Sequence, residues 1–313
     1  MHRSIGHPTA VAVCATLVAA LLAATGCSSR KAPKSVASTA VPRPMARTLG
    51  LAHPESVRYD SAADVYYVSV INGDPAAHDD NGFIDVVSAD SFRVILTLVR
   101  GGQNGVTLDA PKGLAVSGDT LWVADIDAVR AFDKHNGSPL LSVDLKPLHA
   151  RFLNDVAVGG DGAVYVTDTG TGDSTNAGGN VIFRIADGRA SVALASPALA
   201  APNGIAWSPQ LHRFLLAPGG KDVQTWAPGD RAPVPFAAGP GTYDGIEPLA
   251  DGRIVVTSWA DSAVHIIQDG QMTTWIRHVN GPADIGVDVR RGRVALPRLV
   301  ENRVEYFLLP VGR

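Results

Sequence analysis

The chain has 313 residues, 46% of them apolar, with 27 Lys and Arg against 30 Asp and Glu for a formal charge of −3. That apolar share excludes fibrous and disordered classes. Basic residues form no long run, the Arg30-Lys31 and Lys34 stretch being short, which argues against nucleic acid as a partner.

His2 and Arg3 precede an apolar run from Ala10 to Ala24 and then Thr25-Gly26-Cys27, the layout of a secretory signal over residues 1–26. The run is too short for a spanning helix. Its end resembles the bacterial lipobox, with Ala24 where a larger aliphatic residue is usual, so Cys27 is expected to be lipidated and to become the first mature residue. An ordinary signal peptide with an incidental Cys is the alternative. Cys14 falls in the removed segment, which leaves the exported domain with neither disulfide nor free thiol. Its stability then rests on core burial and closure. Residues 27–47, rich in Ser, Ala, Pro and Lys, read as a lipidated start and flexible tether, and 48–313 as the folded domain.

From there one pattern recurs, starting at Pro54, Pro111, Leu153, Pro202, Tyr243 and Pro282, a spacing of about 40 to 57 residues. Most starts lead through a turn rich in Asp, Gly or Ser, such as Gly159-Gly160-Asp161-Gly162, into a β-rich run. Val65 to Val70, Thr120 to Ala124, Val164 to Thr167, Arg253 to Ser258 and Arg293 to Leu296 are such runs. Two more strand-like pieces follow in most units, for example Asn180 to Ile185 and Ser191 to Leu194. The expected fold is all-β, a six-bladed β-propeller of four-stranded antiparallel blades. The sixth unit stops after Arg303 to Leu308, one strand short, so the segment near Arg47 to Leu51 is expected to supply the missing outer strand.

The second residue of each repeat reads Glu55, Lys112, Asn154, Asn203, Asp244 and Ala283. In a closed propeller these entrances to the innermost strands converge on the axis. Four side-chain oxygens facing one another suit a hard cation with oxygen ligands at about 2.3 to 2.6 Å, so Ca²⁺ is favoured over Zn²⁺. Asn and Asp also suit the turns before strands, which is the alternative for part of the set. Lys112 either pairs with Glu55, in competition with a cation, or orients a ligand or anionic substrate.

The set Glu55, Asn154, Asn203 and Asp244, in contexts such as Pro202-Asn203-Gly204-Ile205-Ala206-Trp207-Ser208, resembles the regucalcin/gluconolactonase family and, more distantly, paraoxonases and diisopropylfluorophosphatase. The likeness runs from about Pro54 to Phe307 on short motifs. It implies that Glu55, Asn203 and Asp244 are metal ligands, that Asn154 is a ligand or a substrate contact, and that Asp244 doubles as base or nucleophile in lactone or ester hydrolysis. The chain departs from the family where Ser56-Val57 replaces Gly-Pro after the first Glu, and where the sugar-acid Arg is offset to Arg151.

Strand alternation places the loops between second and third strands on the face of the ring. Two are long and polar, Asn72 to Gly82 and Gly170 to Gly179, and others present Asp127, Trp259 and Arg298. Asp127 and Trp259 from these loops, Lys112 from the ring and Arg151, which the family resemblance implies, make up the expected substrate pocket. His53 is a second candidate base, with plain polar surface as its alternative. No Gly-x-Ser-x-Gly elbow, phosphate loop or His-Glu-x-x-His helix is present. The expected function is an exported lipoprotein with a divalent metal on the propeller axis, a lactone or ester hydrolase of the gluconolactonase type; the alternative is a non-catalytic envelope-binding propeller similar to NHL-repeat proteins. The expected partner is a small lactone or ester, or an envelope ligand. The domain is expected to act as a monomer and to meet the membrane through its lipid alone.

Overall fold

The computed structural model describes residues 42–170 and 179–312. The signal segment, Cys27 and most of the Gly170 to Gly179 loop lie outside the described residues. Within them, twenty-four strands numbered in chain order form six four-stranded antiparallel sheets, the blades of a β-propeller.

The first blade holds β2 (Pro54–Asp60), β3 (Val65–Val70), β4 (Phe83–Ser88) and β5 (Val94–Arg100), and the second β6 (Pro111–Ser117), β7 (Thr120–Asp125), β8 (Ala128–Asp133) and β9 (Pro139–Asp144). The third holds β10 (Leu153–Val158), β11 (Val164–Asp168), β12 (Val181–Ala186) and β13 (Arg189–Ala195), and the fourth β14 (Pro202–Ser208), β15 (Arg213–Pro218), β16 (Asp222–Trp226) and β17 (Val234–Ala238). The fifth holds β18 (Tyr243–Pro248), β19 (Ile254–Ser258), β20 (Ala263–Gln268) and β21 (Gln271–Arg277). The sixth joins β22 (Gly286–Asp288), β23 (Arg293–Arg298) and β24 (Arg303–Leu308) to β1 (Ala46–Leu49) from the other end of the chain. β1 thus begins inside the stretch read as tether.

Burial follows position within the blade. Inner strands are largely buried, whereas outer strands such as β5 leave Val94, Ile95 and Leu96 exposed. Apolar side chains between neighbouring blades form six clusters, one per interface, as expected when a sheet buries both faces against equal neighbours. The first-to-last interface is closed at both radii. On the outside β1 pairs with β24 from Ala46↔Tyr306 to Leu49↔Arg303, and the Tyr306 ring lies 4.6 Å from Phe92 and 5.2 Å from Tyr66. Near the axis the Asp284 N–H donates to Glu55 O at 2.9 Å and the Val57 N–H to Asp284 O at 3.2 Å.

Five of the six inner strands carry a bulge at one place, between Pro54 and Val57, Pro111 and Leu114, Leu153 and Val156, Pro202 and Gly204, and Tyr243 and Ile246. A bulge interrupts alternation and re-aims side chains. In three blades the freed N–H is met by a hydroxyl on the next strand: Ser56 N–H by Ser69 at 2.9 Å, Asp155 N–H by Thr167 at 3.0 Å, and Gly245 N–H by Thr257 at 2.8 Å.

Candidate functional site

The bulges set up the site. They turn the second residue of these five repeats to one mouth of the channel while the third lies beneath it. At the mouth a cavity of about 290 Å³ brings together Glu55, Lys112, Asn154, Asn203, Asp244 and Trp259, with Ile71, Phe152 and Leu299 as apolar wall and His53, Gly73 and Pro75 on the first-blade side. Two larger clefts, of about 360 and 390 Å³, lie between the outer strands of the first two blades, far from this convergence of ionisable groups.

Glu55, Asn154 and Asp244 are each no more than 6% exposed. Asp244 Oδ2 accepts from Trp259 Nε1 at 2.8 Å, while Asp244 Oδ1 and Glu55 Oε2 are buried without a hydrogen-bond partner. Asn154 Nδ2 donates to Thr169 Oγ1 at 3.0 Å, which leaves its carbonyl oxygen for the cavity. Asn203 is held through its main chain, its C=O accepting from Thr167 Oγ1 at 2.6 Å. Lys112 forms no hydrogen-bonded pair with Glu55; its Nζ donates to Pro75 O at 3.0 Å and Ala110 O at 3.2 Å, 4.2 Å from the Phe152 ring centroid.

Burial raises the Glu55 carboxyl well above the usual range, Asp244 and Asp284 raise it further, and Lys112 opposes them. Burial likewise pushes Asp244 up to about 7 against the Trp259 hydrogen bond, and brings Lys112 down to about 8 against the pull of Glu55. Neither carboxyl forms an ion pair, and Lys112 acts on Glu55 only through space. Among the described residues no three His, Cys, Asp or Glu side chains come together in metal-binding geometry, so an ion here depends on the Asn154 and Asn203 amides as well. Two unpartnered carboxylate oxygens and two amide oxygens form a donor set that fits a hard, oxygen-seeking cation.

Below the ring lies a layer missed from the sequence. The third residues of the repeats are Ser56, Gly113, Asp155, Gly204, Gly245 and Asp284, and the glycines make room: a Cβ on Gly113 would stand 2.2 Å from Asp155 Oδ1, and one on Gly245 2.6 Å from the Asp284 Cα. Asp284 Oδ2 accepts from Ser56 Oγ at 2.5 Å and from Arg58 Nη2 at 3.0 Å. Arg58 also pairs with Glu247 and donates from Nε to Leu114 O at 2.7 Å, plugging the channel above a second cavity at its far mouth. The signal was available: of the fifth residues of the repeats, Arg58, Ala115, Ala157, Ala206, Glu247 and Gly286, only the first and fifth are charged, and they pair.

Residues 53–284 match the family model described as SMP-30/Gluconolactonase/LRE-like region. The chain belongs to this family. No curated protein matches it in sequence. Solved structures share the fold at low identity. Luciferin-regenerating enzyme is 13% identical over 83% of this chain and 92% of its own, with a TM-score of 0.63. A candidate gluconolactonase is 16% identical over 86% and 92%, with a TM-score of 0.59, and virginiamycin B lyase from Staphylococcus aureus is 11% identical over 84% and 99%, with a TM-score of 0.57.

In this member of the SMP-30/gluconolactonase family the expected ring residues and Trp259 meet at one cavity, but two expected pocket residues do not line it. Asp127 turns instead to His78 Nε2 at 3.5 Å and Lys146 Nζ at 3.3 Å. Arg151 is exposed, and its backbone N–H donates to Asp168 at 3.1 Å. Ile71, Phe152 and Leu299 were missed because each immediately follows or precedes a strand and reads as ordinary core.

Proposed function

We propose that this propeller is a divalent-cation-dependent hydrolase of lactones or small esters, exported and held to the cell envelope by lipid on Cys27. The observation that carries the reading is the pair of buried, unpartnered oxygens, Glu55 Oε2 and Asp244 Oδ1, in a cavity they share with two amides. Glu55, Asn154, Asn203 and Asp244 would hold the ion, with Ca²⁺ the best match to an all-oxygen set. When bound, such an ion polarises an ester carbonyl.

The chain's own residues supply the rest. Ile71, Phe152, Leu299 and Trp259 take the carbon skeleton and exclude water, and a cavity of about 290 Å³ suits a single small ring. Asp244, oriented by the Trp259 indole, takes a proton from the attacking water. The water oxygen bonds to the acyl carbon, the ester C–O bond breaks, and the proton passes to the departing oxygen, giving a hydroxy acid from a lactone.

Lactones and aryl esters assayed with Ca²⁺ and with chelator test the activity. Turnover should vanish on chelation and in Asp244→Ala. Ca²⁺ binding without turnover of any substrate would instead identify a non-catalytic binding propeller. The anchor rests on Thr25-Gly26-Cys27 at the end of the apolar run. Fatty-acid labelling should mark the wild type, and equal labelling of Cys27→Ser would overturn it.

A further inference from the structure

Lys112 is the one cation among the six second-position residues, and it is 2% exposed. Across the cavity stand two carboxyl groups, each with a buried oxygen that finds no partner. The ammonium is pinned by neutral groups, the Pro75 and Ala110 carbonyls and the Phe152 face, so it cannot swing away to solvent. Its charge acts on Glu55 through space, in a place where salt screens little.

We propose that Lys112 is the resident counter-ion of the axial ring and that its fixed charge weakens the ring's hold on a divalent cation. The second half rests on the reading of the ring as a cation site; the first does not. An ion entering the ring meets repulsion from an ammonium that hydrogen bonds hold in place. The chain therefore folds with its carboxylates partly neutralised, and the divalent cation exchanges with its surroundings instead of being carried permanently.

The test uses the mature chain with Lys112→Met, Lys112→Arg, Glu55→Gln and the double variant Lys112→Met/Glu55→Gln. Melting in chelator at pH 7, where the ammonium keeps its charge, reads the counter-ion role. Glu55→Gln should raise the melting temperature several degrees more in the Lys112→Met background than in the wild type. Calorimetric titration with Ca²⁺ reads the second role: Lys112→Met should bind at least tenfold more tightly than the wild type, and Lys112→Arg, which keeps the charge, about as weakly as the wild type.

If Lys112→Met fails to fold, rescue by Glu55→Gln supports the counter-ion role, and failure of rescue overturns it. Ca²⁺ binding that is unchanged in Lys112→Met, with additive melting shifts, overturns the inference while the cation site stands. Coupled melting shifts with no Ca²⁺ binding in any variant keep the counter-ion and sink the cation site.

Discussion

Trp259 Nε1 donates to Asp244 Oδ2 at 2.8 Å, and that contact and burial together decide how the carboxyl ionises. With its ionisation raised from 3.8 to about 7, the folded chain keeps a proton that the unfolded chain has released between those values. The native state binds more protons there, so metal-free stability should fall as pH rises from about 4 to 7 and lose nothing more from this group above 7. The loss is at most about 4 kcal/mol at about 1.4 kcal/mol per pH unit. Urea unfolding in chelator across this range checks it, and Asp244→Asn should flatten the slope.

Ca²⁺ at a hundredfold excess over Kd should restore about 2.7 kcal/mol, a rise of a few degrees in Tm. Asp244→Ala should abolish the rise, whereas Asp79→Ala, outside the cavity lining, should leave it intact. Trp259→Phe removes the indole donor and should weaken Ca²⁺ binding at pH 7 about fivefold, roughly 1 kcal/mol. A Tm indifferent to Ca²⁺, Mg²⁺ and Mn²⁺ in the wild type would count against the site. The identity of the ring residues was legible at this scale because each stands at one repeat position. Their states of ionisation were not, since these depend on desolvation by neighbouring blades.

Among the elements, β1 is the one whose removal is most informative. It pairs along its whole length with β24, Thr48 Oγ1 lies 3.0 Å from Tyr306 Oη, and Leu51 just beyond it is 1% exposed. Deleting residues up to Leu51 uncovers Val304 and Tyr306 and should cost at least about 3 kcal/mol relative to deletion up to Pro44. Thermal melts of the two truncations decide the matter, and equal melting would refute closure by β1. The need for this strand was readable from the count of strand-like runs in the last unit. The bulges were not: an unpaired residue leaves no mark on local composition, and the hydroxyls that serve it, Ser69, Thr167 and Thr257, lie on the next strand.

Over the whole molecule, the axis carries a ladder of charge from Glu55, Lys112 and Asp244 through Asp155 and Asp284 to Arg58 and Glu247. Arg58 ties the first, second, fifth and sixth blades together through Leu114 O, Glu247 and Asp284. Arg58→Met leaves Asp284 and Glu247 without their cation and should destabilise the fold by about 3 to 5 kcal/mol, the usual cost of removing one partner of a buried pair. Urea unfolding beside Arg184→Ala, whose pair with Asp161 is on the surface, measures this; the control should show no measurable change. A loss no larger than the control's would mean that the plug contributes nothing.

The sequence by itself determined the six-bladed plan, the inner strands and most of the strands that follow them, the closure by the N-terminal strand and the residues of the axial ring. All of these follow from local alternation and from a pattern that repeats along the chain. Only the tertiary structure decided that the third and fifth repeat positions form a buried charge network, that Trp259 reaches Asp244 while Asp127 and Arg151 face elsewhere, and that Lys112 is tied to carbonyls and not to Glu55. The charge network depends on which atoms of neighbouring blades stand within about 3 Å, some 40 residues or more apart in the chain, and the other two outcomes on how loops turn their side chains, as where Trp259 folds back on Asp244 of its own blade.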